Sequence, residues 1–207
     1  MKLLIFGATG RTGLCLVQQA LAQGHTVTAF ARNPKRMRIQ AERLSVWQGD
    51  VRDPECVHRA VAGHDAVLCA LGVGPWGGTV LSRGTRNIVD AMQAHAVRRL
   101  VCETSFGVAE SWRRASILSR VYLALFVYFT YADKARQEKI IRETGLDWTI
   151  VRPAIWLTNG QRRGRYRTGA DMKQDLGNFI SRADVAEFML QQLADGAYLR
   201  QAVAICY

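Results

Sequence analysis

Apolar positions recur along the first half of the chain in two alternating rhythms. Short apolar runs at 2–6, 25–31, 44–48, 65–71 and 98–103 read as strands. Between them, apolar residues return at helical spacing. Leu14, Val17, Ala20 and Leu21 mark a helix over 12–23, which Gly24 ends. Asp53 followed by Pro54 opens a helix to about 62, with the acid as cap and proline at the first helical position. A further helix covers 79–94. The run at 65–71 is continuously apolar, as expected of a strand buried on both faces.

The second half is less regular. One long helix is expected over 116–144, broken near Tyr131. A strand follows at 146–151, then a loop-rich basic segment. A helix begins at the cap-like run Ser181-Arg182-Ala183-Asp184, and a last strand lies at 202–206. Strand–helix alternation of this kind predicts an α/β fold: a Rossmann-type, doubly wound parallel sheet in three α/β/α layers with right-handed crossovers. The 207 residues suit one domain, 1–207, with a small C-terminal substrate lobe from parts of 155–180.

Composition narrows the chemistry. The formal net charge is +11, which invites nucleic acid, an acidic membrane surface or small anions as partners. No helix-turn-helix, zinc-finger or RNP-type pattern supports nucleic acid. The basic run Arg162-Arg163-Gly164-Arg165-Tyr166-Arg167 reads as a solvated loop or a loop that steers an anion. The apolar stretch from Val121 to Tyr131 is too short to span a bilayer and reads as a buried helix or a subunit contact, with a membrane-surface helix as the lesser alternative; the chain is expected to be a monomer or homodimer. Cys15, Cys56, Cys69, Cys102 and Cys206 form no CxxC pair, and the histidines are scattered. Free thiols in the cytoplasm are expected, and no metal site. Met1-Lys2 leads straight into the first strand, so a secretory leader is not expected.

The strongest motif is Gly7-Ala8-Thr9-Gly10-Arg11-Thr12-Gly13, which follows a strand and opens a helix. Glycine is needed there for the tight turn, for close approach of a pyrophosphate and for close helix–sheet packing. The helix N-terminus then offers free N–H groups to phosphate. NAD-selective sites place an acid at the end of the second strand. Here that strand ends Phe30-Ala31-Arg32, and Arg11 lies in the turn itself. Guanidinium groups suit a 2′-phosphate, so NADP(H) is the expected cofactor.

Ile5-Phe6-Gly7-Ala8-Thr9-Gly10-Arg11-Thr12-Gly13 resembles the opening of the atypical short-chain dehydrogenase/reductases, a group that includes the biliverdin-IXβ/flavin reductases and the NmrA-like proteins. So do the stretches 48–53, 82–89, Thr104-Ser105, Asp133-Lys134-x-x-x-Glu138, 145–153 and 180–186. The resemblance implies that Asp50 and Val51 lie against an adenine. It implies that Ala70, Leu71 and Gly72 line the cofactor path, that Ser105 is the active-site serine, and that Pro153 and Ile155 flank a nicotinamide.

One departure matters. The Tyr-x-x-x-Lys pair of typical short-chain dehydrogenases lets lysine lower the phenol's pKa for proton exchange. Lys134 fits the lysine position, but Thr130 stands four residues before it and Tyr131 three. Positions i and i+3 share a helix face, so Tyr131 is either a substitute or a packing residue. Ser105 is either catalytic or a strand-end turn residue.

Two functions follow as expectations. One is an NADPH-dependent reductase that passes hydride to a planar, anionic small molecule (a flavin, bilin or quinone), with Trp76, Trp112 and Trp156 available to stack on it. The other is a non-catalytic NADP(H) sensor of NmrA-like type. A nucleotide-sugar epimerase is disfavoured, because the chain is short and the Tyr-x-x-x-Lys pair is absent.

Overall fold

The computed structural model describes residues 1–72, 78–126 and 128–207. The first strand, β1 (Lys2–Phe6), sits near the middle of an eight-stranded sheet. On one side it pairs with β2 (Thr26–Ala31), which pairs with β3 (Leu44–Gln48). On the other side come β4 (Ala66–Cys69), β5 (Arg99–Glu103), β6 (Asp147–Pro153) and β10 (Gln201–Cys206), all parallel. The strand order therefore reverses between β1 and β4. In open α/β sheets that reversal leaves a crevice at the carboxyl ends of the strands, where ligands bind.

Alternation along β1 divides the core. Leu3 and Ile5 pack with Leu16 and Val17 of α1 (Arg11–Ala22) and with Val185 and Met189 of α6 (Arg182–Gln191). Leu4 and Phe6 pack on the opposite face with Val57 of α2 (Pro54–Val61), Ile88 of α3 (Val80–Ala94) and Ile141 of α5 (Tyr128–Arg142). A strand's side chains alternate between faces, so each layer of helices receives its own core. The sheet is thus covered on both faces, as in a Rossmann fold.

Local signals act as read. The Asp53 side chain accepts from the Cys56 N–H at 3.1 Å and caps α2. Ser181 Oγ accepts from the Asp184 N–H at 3.0 Å and caps α6.

One expectation in the second half needs correction, and others gain detail. The break expected near Tyr131 divides the 116–144 helix into α4 (Ile117–Phe126) and α5. The apolar stretch is not buried throughout: Val121 and Leu125 of α4 face solvent, as does Phe129. Parts of 155–180 stand apart from the main sheet. β7 (Trp156–Thr158) and β9 (Phe179–Ser181) form a separate two-stranded sheet, whereas β8 (Arg167–Gly169) joins the main sheet as an antiparallel edge on β10.

Candidate active site

Gly7 has φ +74°, a conformation that L side chains rarely adopt. A Cβ there would lie 2.3 Å from the Ala70 carbonyl oxygen. The Gly10 N–H closes the turn on the Gly7 carbonyl at 2.8 Å. A Cβ on Gly13 would lie 2.1 Å from that same oxygen, so Gly13 lets α1 seat against the end of β1. Gly10 is different: a Cβ there would meet only the Gly7 oxygen, at 3.1 Å, and Gly10 itself lines open space.

The start of α1 has no side-chain cap and no acid in its first turn, and it carries Arg11 there. A cation at a helix N-terminus opposes the helix dipole. The arrangement suits an external anion held by the free N–H groups.

Two hollows meet over this turn, and Gly7, Leu71 and Gly72 line both. The smaller, about 290 Å³, is walled by Thr9, Phe30, Arg32, Asp50 and Val51. The Arg52 guanidinium, 2.7 Å from Asp50, holds that carboxyl down to about 2. Val51 is fixed from behind. The Asn87 side chain donates to its carbonyl at 2.9 Å, and a Cβ on Gly84 would come within 2.7 Å of its methyl group. Residues 82–89 thus shape the wall of this hollow.

The larger hollow, about 850 Å³, includes Gly10, Arg11, Thr12, Ala70, Ser105, Tyr131, Lys134 and Ile155. Pro153 stands back from it: its carbonyl accepts from the Phe106 N–H, and Ala154 forms the wall beside Ile155. Trp156 reaches the rim through a ring contact with Tyr122, centroids 5.4 Å apart. Trp112 belongs to the short 3-10 turn Ala109–Arg114, and Trp76 lies outside the described residues.

Tyr131 has a polar partner. Its phenol and the Ser105 hydroxyl lie 2.7 Å apart. Burial pushes the phenol up to about 12, despite the hydrogen bond with Ser105. Burial also lowers Lys134, an effect opposed by nearby Glu103. Lys134 Nζ donates to the Thr104 carbonyl at 2.6 Å. The Thr104 hydroxyl donates to Glu138 at 2.7 Å, and Glu138 is paired with buried Arg152 at 2.5 Å. Asp133 accepts from the Leu81 N–H at 2.9 Å and anchors the start of α3. Two of the residues flanking Lys134 in its motif are therefore fastened to the frame.

Six wall residues were given no site role from sequence: Arg36, Glu103, Tyr122, Ala154, Leu157 and Arg182. Glu103 is 8% exposed and accepts from the Thr12 hydroxyl at 3.2 Å. Burial raises its carboxyl, with Lys134 opposing. An acid ending the buried run Leu100-Val101-Cys102 was the available signal. Arg182 is held by the Leu157 carbonyl and by Asn159 Oδ1, each at 2.8 Å. With Arg11, Arg36, Lys134 and Arg182 facing one raised carboxyl, the larger hollow favours a polyanion. The basic run Arg162–Arg167 is engaged elsewhere: Arg162 pairs with Glu187 at 3.1 Å, and the Arg163 guanidinium lies 4.2 Å from the Tyr207 ring centre.

A crevice at the β1/β4 reversal, a glycine turn open at Gly10 and an uncapped helix start with arginine around it fit a dinucleotide. Comparison with known proteins agrees. An uncharacterized chloroplastic protein of Arabidopsis thaliana is 32% identical over 165 residues, covering 73% of this chain and 58% of its own length. The 2-alkyl-3-oxoalkanoate reductase of Stenotrophomonas maltophilia is 36% identical over 109 residues, covering 49% of this chain and 32% of its own. The chain thus spans about half or less of these two curated relatives. The crystal structure of ChuY, an anaerobilin reductase from Escherichia coli O157:H7, superposes with a TM-score of 0.81 at 24% identity, over 99% of this chain and 96% of ChuY. The family model described as NAD(P)H-binding matches residues 7–196. The chain belongs to this NAD(P)H-binding family.

Proposed function

We propose that the chain is an NADPH-dependent reductase that delivers hydride to a planar acceptor, a flavin, bilin or quinone. One observation carries this reading. The hollow bearing Arg32 and the hollow bearing the Ser105–Tyr131 pair are joined at Gly7, Leu71 and Gly72. A dinucleotide laid across them has its adenosine end at Arg32 and its reactive end at the hydroxyl pair. Arg32 and the lack of an acid after β2 support the phosphorylated nucleotide. The reductase names of the Stenotrophomonas relative and of the ChuY structure support reduction as the chemistry.

The nicotinamide, when bound, supplies the hydride. The chain's own residues do the rest. Gly10 and the first turn of α1 bind the diphosphate, and Arg11 and Arg182 balance its charge. Ser105 and Tyr131 hold a proton on the acceptor side, and a phenol pushed up to about 12 keeps that proton at neutral pH. Tyr122 and Ile155 screen the site from water.

The sensor reading is favoured by a separate observation: the Lys134 ammonium is engaged by the Thr104 carbonyl and Tyr131 is raised, the reverse of the lowered phenol of a Tyr-x-x-x-Lys site. The assay that separates them adds NADPH with FMN, biliverdin or a quinone and follows nicotinamide absorbance. Oxidation with one of these acceptors is expected. Tight binding with no oxidation by any of them selects the sensor.

A further inference from the structure

α4 separates two environments. Tyr122 faces the larger hollow. Ile117 is 81% exposed, Leu118 68% and Leu125 72%, with Val121 half-exposed between them. At 3.6 residues per turn these four side chains fall within an arc of about 100°. Trp156, in ring contact with Tyr122, is half-exposed at the edge of the same region. A contiguous apolar stripe of this kind on a water-facing helix marks an interaction surface.

Charge identifies the occupant. A hollow of about 460 Å³ is lined by Ala115 and Ser116, the two residues that precede α4. Arg113, Arg114, Arg167 and Lys173 line this hollow, against Asp175. Arg114 also pairs with Asp171 at the rim. Its wall is fastened at that point: Ala115 bridges to Gln174, and the Ser116 N–H donates to the Gln174 carbonyl at 3.4 Å. The cationic hollow therefore ends at Ser116, one residue before Ile117, where the apolar stripe begins.

We propose that this surface docks on an anionic lipid bilayer, with Ile117, Leu118, Val121 and Leu125 in the interface and the hollow receiving phosphate headgroups. A second copy of the chain fits less well. Each copy carries +11, and a two-fold contact through α4 would bring the same arginines toward one another. A bilayer with acidic headgroups complements both the apolar and the basic part. Among the described residues no helix is long and apolar enough to cross a membrane, so the association is peripheral. The inference does not depend on the reductase reading.

The test is co-sedimentation of the full chain with vesicles of phosphatidylcholine alone and of phosphatidylcholine with phosphatidylglycerol. The parent should bind the second at least about tenfold better, since each basic residue near an acidic surface adds a several-fold gain. The binding should weaken as salt rises. Leu118→Glu with Leu125→Glu should abolish it. Arg113→Glu with Lys173→Glu should remove the phosphatidylglycerol preference. All four side chains are exposed, so both double variants should keep the parent's circular dichroism and thermal midpoint. Three results overturn the proposal. One is no sedimentation of the parent with either vesicle. Another is full competition by inorganic phosphate together with unimpaired vesicle binding by the leucine variant. The last is a parent dimer in light scattering that the leucine variant dissolves while vesicles capture neither.

Discussion

On the β1 side of the cleft, backbone touches backbone. A Cβ at Gly7 or Gly13 would fall within 2.3 Å of a carbonyl oxygen, and the wall at Val51 is pinned by Gly84 and Asn87. On the α5 side, the working groups are side chains on flexible stems. Ser105 meets Tyr131, Lys134 turns to Thr104, and Tyr122 comes from a helix whose outer face is bare. Little can change on the first side without losing the fold of the turn. The second side can exchange one side chain for another and still hold a dinucleotide. The contrast sets a turn that admits only glycine at positions 7 and 13 against a helix that carries a threonine four residues before Lys134.

The contrast can be broken most forcefully at Gly13. Gly13→Ala places a Cβ against the Gly7 carbonyl, and overpacking there should cost about 3 kcal/mol in chemical denaturation and abolish nucleotide binding. A variant with parental stability would show that the turn is looser than described. Next comes Arg32→Asp. Loss of a charge-assisted bond to a 2′-phosphate should weaken NADPH by at least about tenfold and leave NADH nearly unchanged in calorimetric titration. Equal losses for both would remove Arg32 from the phosphate site.

Tyr131→Phe sharpens the other side. It should lower kcat about a hundredfold for an acceptor that needs a proton and leave nucleotide affinity intact. An unchanged kcat would make Tyr131 a packing residue.

The smallest effect is expected at Glu103. Burial holds its folded-state carboxyl above the ordinary value of about 4.3. Its contribution to stability is therefore full below that value and declines as pH rises through the folded-state value. Glu103→Gln keeps an acceptor for the Thr12 hydroxyl. It should match the parent's melting temperature near about pH 4 and exceed it at neutral pH. A lower melting temperature at neutral pH would mean that Glu103 is stabilised as an anion by Lys134 and Arg182.

Much of the fold was legible because its signals are local. The glycine turn, the Asp53–Pro54 helix start and the Ser181 cap each need only neighbours along the chain. Alternating strands and helices were enough for the doubly wound sheet. What escaped needed distant partners. β8 is an edge strand only because β10 returns beside it, 35 to 39 residues later. Apolar content showed α4 as a helix but not whether another element would cover it, and none of the described residues buries its outer stripe. Arg36 and Arg182 reach the hollow from opposite halves of the chain. Helical spacing put Tyr131 on the face of Lys134, but its polar contact is with Ser105 and emerges only where the end of β5 meets α5.

The central claim is that the crevice between β1 and β4 holds a phosphorylated nicotinamide dinucleotide. Calorimetric titration of the full chain with NADPH and, separately, with NADH tests it most directly. The account predicts saturable binding with NADPH at least about tenfold tighter. Heatless, unsaturable curves for both nucleotides would contradict it.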